Sequence, residues 1–128
     1  MEKQPKRFGD YIKELRRSNE ITLKDMAEYL DLSLAFLCGI ESNGRKPLEA
    51  ERLELLAKKF GLSDEDKNFL YDLEARESKA IPQDIEDVTM YMEAGGLARL
   101  ALRKTKSGSI AVEDWKRFIK ESESGGKR

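Results

Sequence analysis

The chain has 128 residues, of which 38% are charged and 39% hydrophobic, a balance typical of a mostly helical protein with a modest core. Its formal net charge is −1, so it lacks the strongly basic composition of many nucleic-acid-binding proteins, and any anion-binding face must be local. With one cysteine, Cys38, and no histidine, the composition excludes an intramolecular disulfide and a zinc site.

The first 17 residues are basic rather than apolar. They contain six basic and three acidic side chains, a local charge of +3. A secretory leader needs an apolar segment of at least about 7 residues, which is missing here, and no stretch elsewhere approaches the ~20 apolar residues of a membrane span. We therefore expect a cytoplasmic protein with no membrane contact and one surface of positive potential.

Hydrophobic periodicity predicts three short helices in the first third of the chain. The first covers about residues 6–17, with an apolar face formed by Phe8, Tyr11, Ile12 and Leu15. The second covers about residues 23–29 and begins after Thr22, a good N-cap with an acidic residue three positions on. After a short connector, the third begins at a second N-cap, Ser33, and ends near residue 41.

Two further helices complete a predicted first domain, residues 1–78. They cover about residues 48–60 and 64–77, and the second of them is capped by Ser63. The loop before them, 42–47, contains an Asn-Gly pair, which favours left-handed backbone. The predicted fold is all-α, with five helices in this domain followed by a short helical C-terminal extension.

The C-terminal extension, residues 79–121, is predicted to contain three shorter helices. They cover about residues 83–92, 96–105 and 112–121, with Gly95-Gly96 as a helix break. We expect an apolar stripe of the last helix to pack in a core against the helix before it, with a homodimer interface as the alternative; the stripe consists of Trp115, Phe118 and Ile119. Residues 122–128 are expected to form a disordered tail.

The second and third predicted helices have the spacing of a helix-turn-helix motif. In that motif the second helix lies across the DNA backbone, where its free N-terminal amides can bind a phosphate. The third helix enters the major groove, and its early residues reach base edges. The spacing therefore predicts a partner, double-stranded DNA.

The segment ITLKDMAEYLDLSLAFLCGIESNGRKP resembles the XRE, or Cro-repressor-like, helix-turn-helix family. The positions that fit the family pattern are Thr22, Ala27, Leu32, Ser33, Leu37, Ile40, Glu41, Gly44, Arg45 and Pro47. The resemblance covers about residues 8–62 and implies a five-helix DNA-binding domain that works as a dimer on a near-palindromic operator. It also implies a structural ion pair between Arg16 and Glu41 that holds the recognition helix to the scaffold.

The predicted recognition helix is unusually apolar. Before Glu41 this helix contains no Arg, Lys, Asn or Gln, the side chains that usually read base edges. The family often carries Gln directly after the residue equivalent to Thr22, where this chain has Leu23. We therefore expect phosphate contacts and DNA shape to matter more than base-edge hydrogen bonds. The predicted DNA-binding residues are Arg17, Thr22, Leu23, Lys24, Ser33, Leu34, Ala35, Phe36, Cys38, Asn43, Arg45 and Lys46, with Lys13 as a further candidate.

These features favour a sequence-specific transcriptional regulator of bacterial or phage origin, acting as a repressor and binding DNA as a homodimer. One alternative is an antitoxin or adaptor, in which residues 82–121 bind a partner protein and DNA binding is autoregulatory. Another is a helix-turn-helix fold that no longer binds DNA. The chain contains no glycine-rich phosphate loop and no nucleophile motif, so the sequence predicts no enzyme and no catalytic residue, cofactor or metal.

Overall fold

The computed structural model describes residues 7–45 and 47–124, and within these ranges the chain is helical with no β-strand. The first five helices are α1 (Phe8–Ser18), α2 (Leu23–Leu30), α3 (Leu34–Glu41), α4 (Ala50–Lys59) and α5 (Asp64–Ser78). A short 3₁₀ turn (Gln83–Ile85) is followed by α6 (Glu86–Met90), α7 (Ala94–Ser107) and α8 (Val112–Ser124). The predicted all-α class, five helices followed by a helical extension, is confirmed.

Side-chain caps determine where three of the helices begin. The Thr22 hydroxyl accepts a hydrogen bond from the backbone N–H of Asp25 at 3.0 Å, which begins α2. Ser33 accepts from the N–H of Phe36 at 3.0 Å, which begins α3, and Ser63 caps α5 in the same way. Each cap satisfies one of the backbone donors that a helix leaves free at its first turn.

The hydrophobic core lies within the first five helices. Among the described residues, every buried apolar side chain falls between Phe8 and Ala75. Tyr11 of α1 packs edge-to-face on Phe69 of α5 with ring centroids 5.0 Å apart, and burial raises the pKa of the Tyr11 phenol to about 12. Full burial of a large apolar side chain contributes roughly 1.5–3 kcal/mol, so this core is what makes the five helices a stable scaffold.

The chain divides into two compact units, Met1–Ile85 and Glu86–Arg128. The first unit extends beyond the predicted boundary after Ser78 because Gln83 packs back on the start of α4. The Gln83 side chain accepts a hydrogen bond from the N–H of Ala50 at 2.7 Å and donates one to the carbonyl oxygen of Leu48 at 3.3 Å. It therefore caps α4, since the residue at the N-cap position, Glu49, makes no capping hydrogen bond of its own.

In the second unit, α7 includes the glycine pair that was predicted to break the helix. A Cβ on Gly95 would lie 2.5 Å from the carbonyl oxygen of Val88 and 2.6 Å from that of Thr89. The glycine therefore serves the close approach of α6 to α7 rather than a break between helices. No described helix is long and apolar enough to cross a membrane.

The aromatic stripe of α8 is only partly packed. Trp115 is half-buried, and its indole N–H donates a hydrogen bond to the Thr105 hydroxyl at 2.8 Å. Phe118 and Ile119 are 62% and 52% exposed, so the prediction that they pack in a core is wrong. Helix α8 continues to Ser124, three residues into the predicted disordered tail, and residues 125–128 lie outside the described part of the chain.

Candidate nucleic-acid interface

A tight left-handed turn joins α2 to α3. Asp31 adopts φ 57° and ψ 48°, and its N–H donates to the carbonyl oxygens of Ala27 and Glu28. The N–H of Leu32 also donates to Ala27, at 2.9 Å, and the Leu32 side chain packs against the core. This C-terminal cap reverses the chain within two residues and sets the angle between α2 and α3.

An arginine from α4 holds the same turn from outside. Arg52 Nε donates to the carbonyl oxygen of Leu30 at 2.7 Å, and Arg52 Nη2 donates to that of Asp31 at 3.1 Å. These are carbonyls that the end of α2 leaves unpaired. The role of Arg52 was not predicted, because no local sequence pattern indicates a contact between residues 22 positions apart.

The end of α3 is anchored to α1 by a two-pronged ion pair. Arg16 Nε lies 2.8 Å from Glu41 Oε2, and Arg16 Nη2 lies 2.9 Å from Glu41 Oε1. A third donor, Arg16 Nη1, reaches the carbonyl oxygen of Ile21 at 3.0 Å. The hydrogen bonds that Arg16 donates to Glu41 raise the pKa of its guanidinium, and the Glu41 side chain is only 5% exposed. This is the geometry that the family resemblance implies for the two residues.

The loop after α3 is tied to the start of α1 by Asn43. The Gly9 N–H donates to Asn43 Oδ1 at 2.9 Å, and Asn43 Nδ2 donates to Asp10 Oδ1 at 3.0 Å. Asn43 itself adopts φ 64°, the left-handed conformation predicted for this loop. Asn43 is one of the predicted DNA-binding residues, but both ends of its amide form hydrogen bonds within the protein.

The other predicted DNA-binding residues differ in exposure. Leu34 is 51% exposed and Phe36 is 36% exposed on α3. Leu23 and Lys13 are half-buried, with Leu23 packed against the core, and Lys46 lies outside the described residues. The remaining exposed members of the set are Arg17, Thr22, Lys24, Ser33, Ala35, Cys38 and Arg45.

Arg45 lies along the outer face of α3. Its guanidinium carbon is 4.7 Å from the centroid of the Phe36 ring, within the range of a cation–π contact. A Cβ on Gly39 would lie 2.9 Å from both Cδ and Nε of Arg45, so the arginine stem crosses the helix where there is no side chain. The outer face of α3 therefore carries a positive charge, although α3 itself contains no basic residue.

Comparison with known proteins identifies a matching family. Residues 12–67 match the model of a family described as helix-turn-helix, a span that begins within α1 and ends within α5. It includes the capped pair α2 and α3 and most of the scaffold around them. Searches of curated proteins and of solved structures give no match.

Proposed function

Because residues 12–67 belong to the XRE-type helix-turn-helix family, a DNA-binding family, we propose that this protein is a transcriptional repressor that places α3 in the major groove of double-stranded DNA. The observation that carries the proposal is the way α3 is held. Arg16 and Asn43 fix its C-terminal end to α1, while its outer face, with Leu34 and Ala35, stays exposed. A scaffold that positions an exposed helix this firmly suits insertion into a groove.

The starts of α2 and α3 are proposed to bind the phosphate backbone. Thr22 and Ser33 accept their capping hydrogen bonds, so each hydroxyl still has its own O–H to donate to a phosphate oxygen. Exposed Lys24 and Arg17 add positive charge to this side of the unit. Such contacts set the register of the protein on DNA and make its affinity depend on salt.

Base reading is proposed to rest on Arg45. An arginine guanidinium can donate two hydrogen bonds to O6 and N7 of guanine, the commonest specific contact in the major groove. The Phe36 ring and the open backbone at Gly39 hold the Arg45 guanidinium on the exposed face of α3, the face that we propose to enter the groove. Leu34 and Ala35 beside it can contact thymine methyl groups.

The function is tested by selecting bound sequences from a random duplex pool with the full chain at moderate salt. We expect a near-palindromic site with half-sites about 34 Å apart, since we propose that the protein binds as a homodimer. The logarithm of affinity should fall linearly with the logarithm of salt concentration. Failure to enrich any sequence, together with an affinity that salt leaves unchanged, would overturn the proposal.

The role of each basic residue is tested by comparing variants on the selected site. Arg45→Ala should lose about 1–3 kcal/mol of discrimination at one base pair, whereas Lys24→Ala should weaken binding to all sequences alike and reduce the salt slope by about 1. Lys58→Ala is the control, because Lys58 is an exposed basic residue on α4, a helix that contains none of the predicted DNA-binding residues. Equal effects of the three variants would contradict the assigned roles.

Gly39→Ala separates the position of Arg45 from its charge. The added methyl group would occupy the path of the arginine stem and displace the guanidinium from Phe36, while the charge stays. We expect weaker discrimination at the guanine position with little loss of nonspecific affinity. Alanine also favours the helix by up to ~1 kcal/mol, so unfolding would not explain the change.

A second candidate function is an antitoxin or adaptor that binds a protein through the C-terminal helices and DNA only to regulate itself. The observation that favours a protein contact of some kind is the exposure of large apolar side chains in α7 and α8, Leu97 and Phe118 among them. A different protein that co-purifies with the full chain, and is lost from a chain ending at Ile85, would favour this candidate. We propose that either function is carried out in the cytoplasm.

A further inference from the structure

The second compact unit has no buried core of its own. Among its described residues, 86–124, only Gly95 is buried, and no large side chain is. Units of about 40 residues usually need a disulfide, a metal or an oligomeric contact to be stable. The chain has no histidine, its one cysteine lies in the first unit, and the described residues contain no cluster able to hold a metal ion. An oligomeric contact is the remaining means of covering the apolar surface.

The two longest helices of this unit form a hairpin with an open apolar groove. The groove, about 490 Å³ in volume, is lined by Leu97, Ala98, Ala101, Ile110, Trp115 and Phe118, with Asp114 at its edge. The hydrogen bond between Trp115 and Thr105 joins α8 to α7. The small side chains of Ala98 and Ala101 leave the space, while the larger Leu97 and Phe118 are 74% and 62% exposed beside it.

The groove side of the hairpin therefore presents a recess, lined by Ala98 and Ala101, together with a large exposed side chain, Phe118, of a size to fill such a recess. A contact between two identical copies related by a two-fold axis uses the same patch on each, so the patch must be complementary to itself. Phe118 can enter the alanine-lined recess of a second copy, while that copy's Phe118 enters the recess of the first.

The charges of the hairpin agree with a second copy in one arrangement. Helix α7 has four basic residues and no acidic one, whereas α8 has four acidic and three basic residues. Two copies of α7 side by side would repel each other, while α7 against the other copy's α8 brings opposite charges together. Six large apolar side chains of the hairpin are 47% to 74% exposed, so apolar surface is open to a partner on both of its helices. These side chains are Leu97, Leu100, Leu102, Val112, Phe118 and Ile119.

We propose that the α7–α8 hairpins of two copies pack into a four-helix bundle, with Phe118 of each copy in the other's groove and α7 against the other's α8. The bundle supplies the homodimer that the proposed function requires and, to that extent, rests on it. Its own observations, the exposed apolar face and its shape, do not depend on DNA binding.

The interface is tested by sedimentation of the full chain over a range of micromolar concentrations. We expect a dimer for the natural sequence and, for Phe118→Glu, a dissociation constant raised about 30-fold or more. Leu34→Glu is the matched control, because Leu34 is also an exposed apolar residue but lies on α3. It should remain a dimer. A monomeric natural chain, or a dimer that Phe118→Glu leaves intact, would overturn the proposal, as would recovery of the hairpin bound only to another protein.

A complementary pair of variants tests the contact itself. Phe118→Ala removes the side chain that enters the recess, and Ala101→Phe fills the recess, so each variant alone should dissociate. Mixed together, the two variants should form a heterodimer. Phe118 of the Ala101→Phe chain enters the open recess of the Phe118→Ala chain, and the filled recess of the Ala101→Phe chain faces only the small Ala at position 118 of the other chain. Fluorescence of Trp115, the chain's single tryptophan, checks that each hairpin is folded. Absence of the heterodimer from two folded variants would overturn the proposed contact.

The same variants separate this interface from DNA binding. Leu34→Glu should lose DNA and keep the dimer, whereas Phe118→Glu should lose the dimer and bind a single half-site weakly. A dimer without DNA binding would contradict the proposed function alone. DNA binding by a monomeric natural chain would contradict the interface and the dimeric mode of binding, but not the proposed role of α3.

Discussion

Gly9 is the residue at which α1 comes closest to the recognition helix. A Cβ there would lie 2.2 Å from the carbonyl oxygen of Ile40 and 2.9 Å from that of Glu41. Both are backbone atoms, so room for a side chain could come only from a shift of α3 or of the loop after it. The close approach also lets the Gly9 N–H reach Asn43. One absent side chain thus sets the spacing between the scaffold and the candidate DNA-binding helix.

Gly9→Ala should therefore lower the free energy of unfolding by about 3 kcal/mol, at the upper end of the range for overpacking. Urea unfolding followed by circular dichroism measures this. Gly96→Ala is the control, since a Cβ on Gly96 meets nothing within 4 Å and alanine is the better helix former. A Gly9→Ala protein as stable as the Gly96→Ala protein would show that α3 can move without cost.

The ion pair at the other end of α1 should also be costly to break. Arg16→Ala leaves the Glu41 carboxylate, 5% exposed, without its arginine, and we expect a loss of about 3–5 kcal/mol in the free energy of unfolding. Arg7→Ala is the comparison, because the Arg7 side chain is 58% exposed and its partner Glu77 can be hydrated when the pair is broken. Similar losses for the two variants in urea unfolding would contradict a special role for Arg16.

At the scale of elements, the motif is held together by contacts to its ends. Arg52 of α4 binds the carbonyls at the end of α2, and the Arg16–Glu41 pair binds the end of α3 to α1. A further pair, Arg7 and Glu77, joins the start of α1 to the last turns of α5, with hydrogen bonds of 3.0 and 2.9 Å. The ends of helices carry unpaired backbone groups, and charged side chains from neighbouring helices satisfy or brace them here.

The α1–α5 pair makes stability depend on pH in the acid range. The hydrogen bond from Arg7 lowers the pKa of Glu77 below its ordinary value of 4.5. A carboxylate whose pKa is lowered by folding binds protons more readily when unfolded, so its contribution is complete above pH 4.5 and is lost as the pH falls through the lower, folded value.

We therefore expect the difference in unfolding free energy between neutral and acid pH to shrink in Glu77→Gln, which has no charge to lose. Urea titrations of both proteins from neutral pH to below pH 4 measure it. Glu113→Gln is the control, since Glu113 is 79% exposed and its ion pair with the exposed Lys116 has a long distance of 3.8 Å. An unchanged pH dependence in Glu77→Gln would contradict this role for the pair.

At the scale of the whole molecule, the core and the exposed apolar surface belong to different units. The buried apolar side chains of the described residues lie between Phe8 and Ala75, while α7 and α8 expose theirs. The first unit, residues 1–85, has a core of its own and is expected to fold by itself, whereas the second unit exposes apolar side chains that a contact with another surface would bury. This separation fits a DNA-binding unit followed by an association unit.

A chain ending at Ile85 should therefore unfold cooperatively, with a midpoint in urea close to that of the first unit in the full chain. It keeps Gln83, which caps α4, whereas a chain ending at the sequence-predicted boundary, Ser78, loses that cap and should be less stable by about 1 kcal/mol. Circular dichroism in urea compares the two. Equal stability of the two shortened chains would contradict the role of Gln83.

Where the helices of the motif begin could be predicted from the local sequence, as could the resemblance of this segment to the helix-turn-helix family. Thr22, Ser33 and Ser63 act on the N–H three residues ahead, so their effect is legible in the local sequence, and the apolar period follows the helix that it forms. Only the tertiary structure decided which polar side chains hold the motif, as Arg52 and Gln83 do across 22 and 33 positions. It also decided that Arg45 lies over Phe36 and that Phe118 stays exposed. Periodicity shows that a helix has an apolar face, but what covers that face depends on surfaces distant in the sequence or on another molecule.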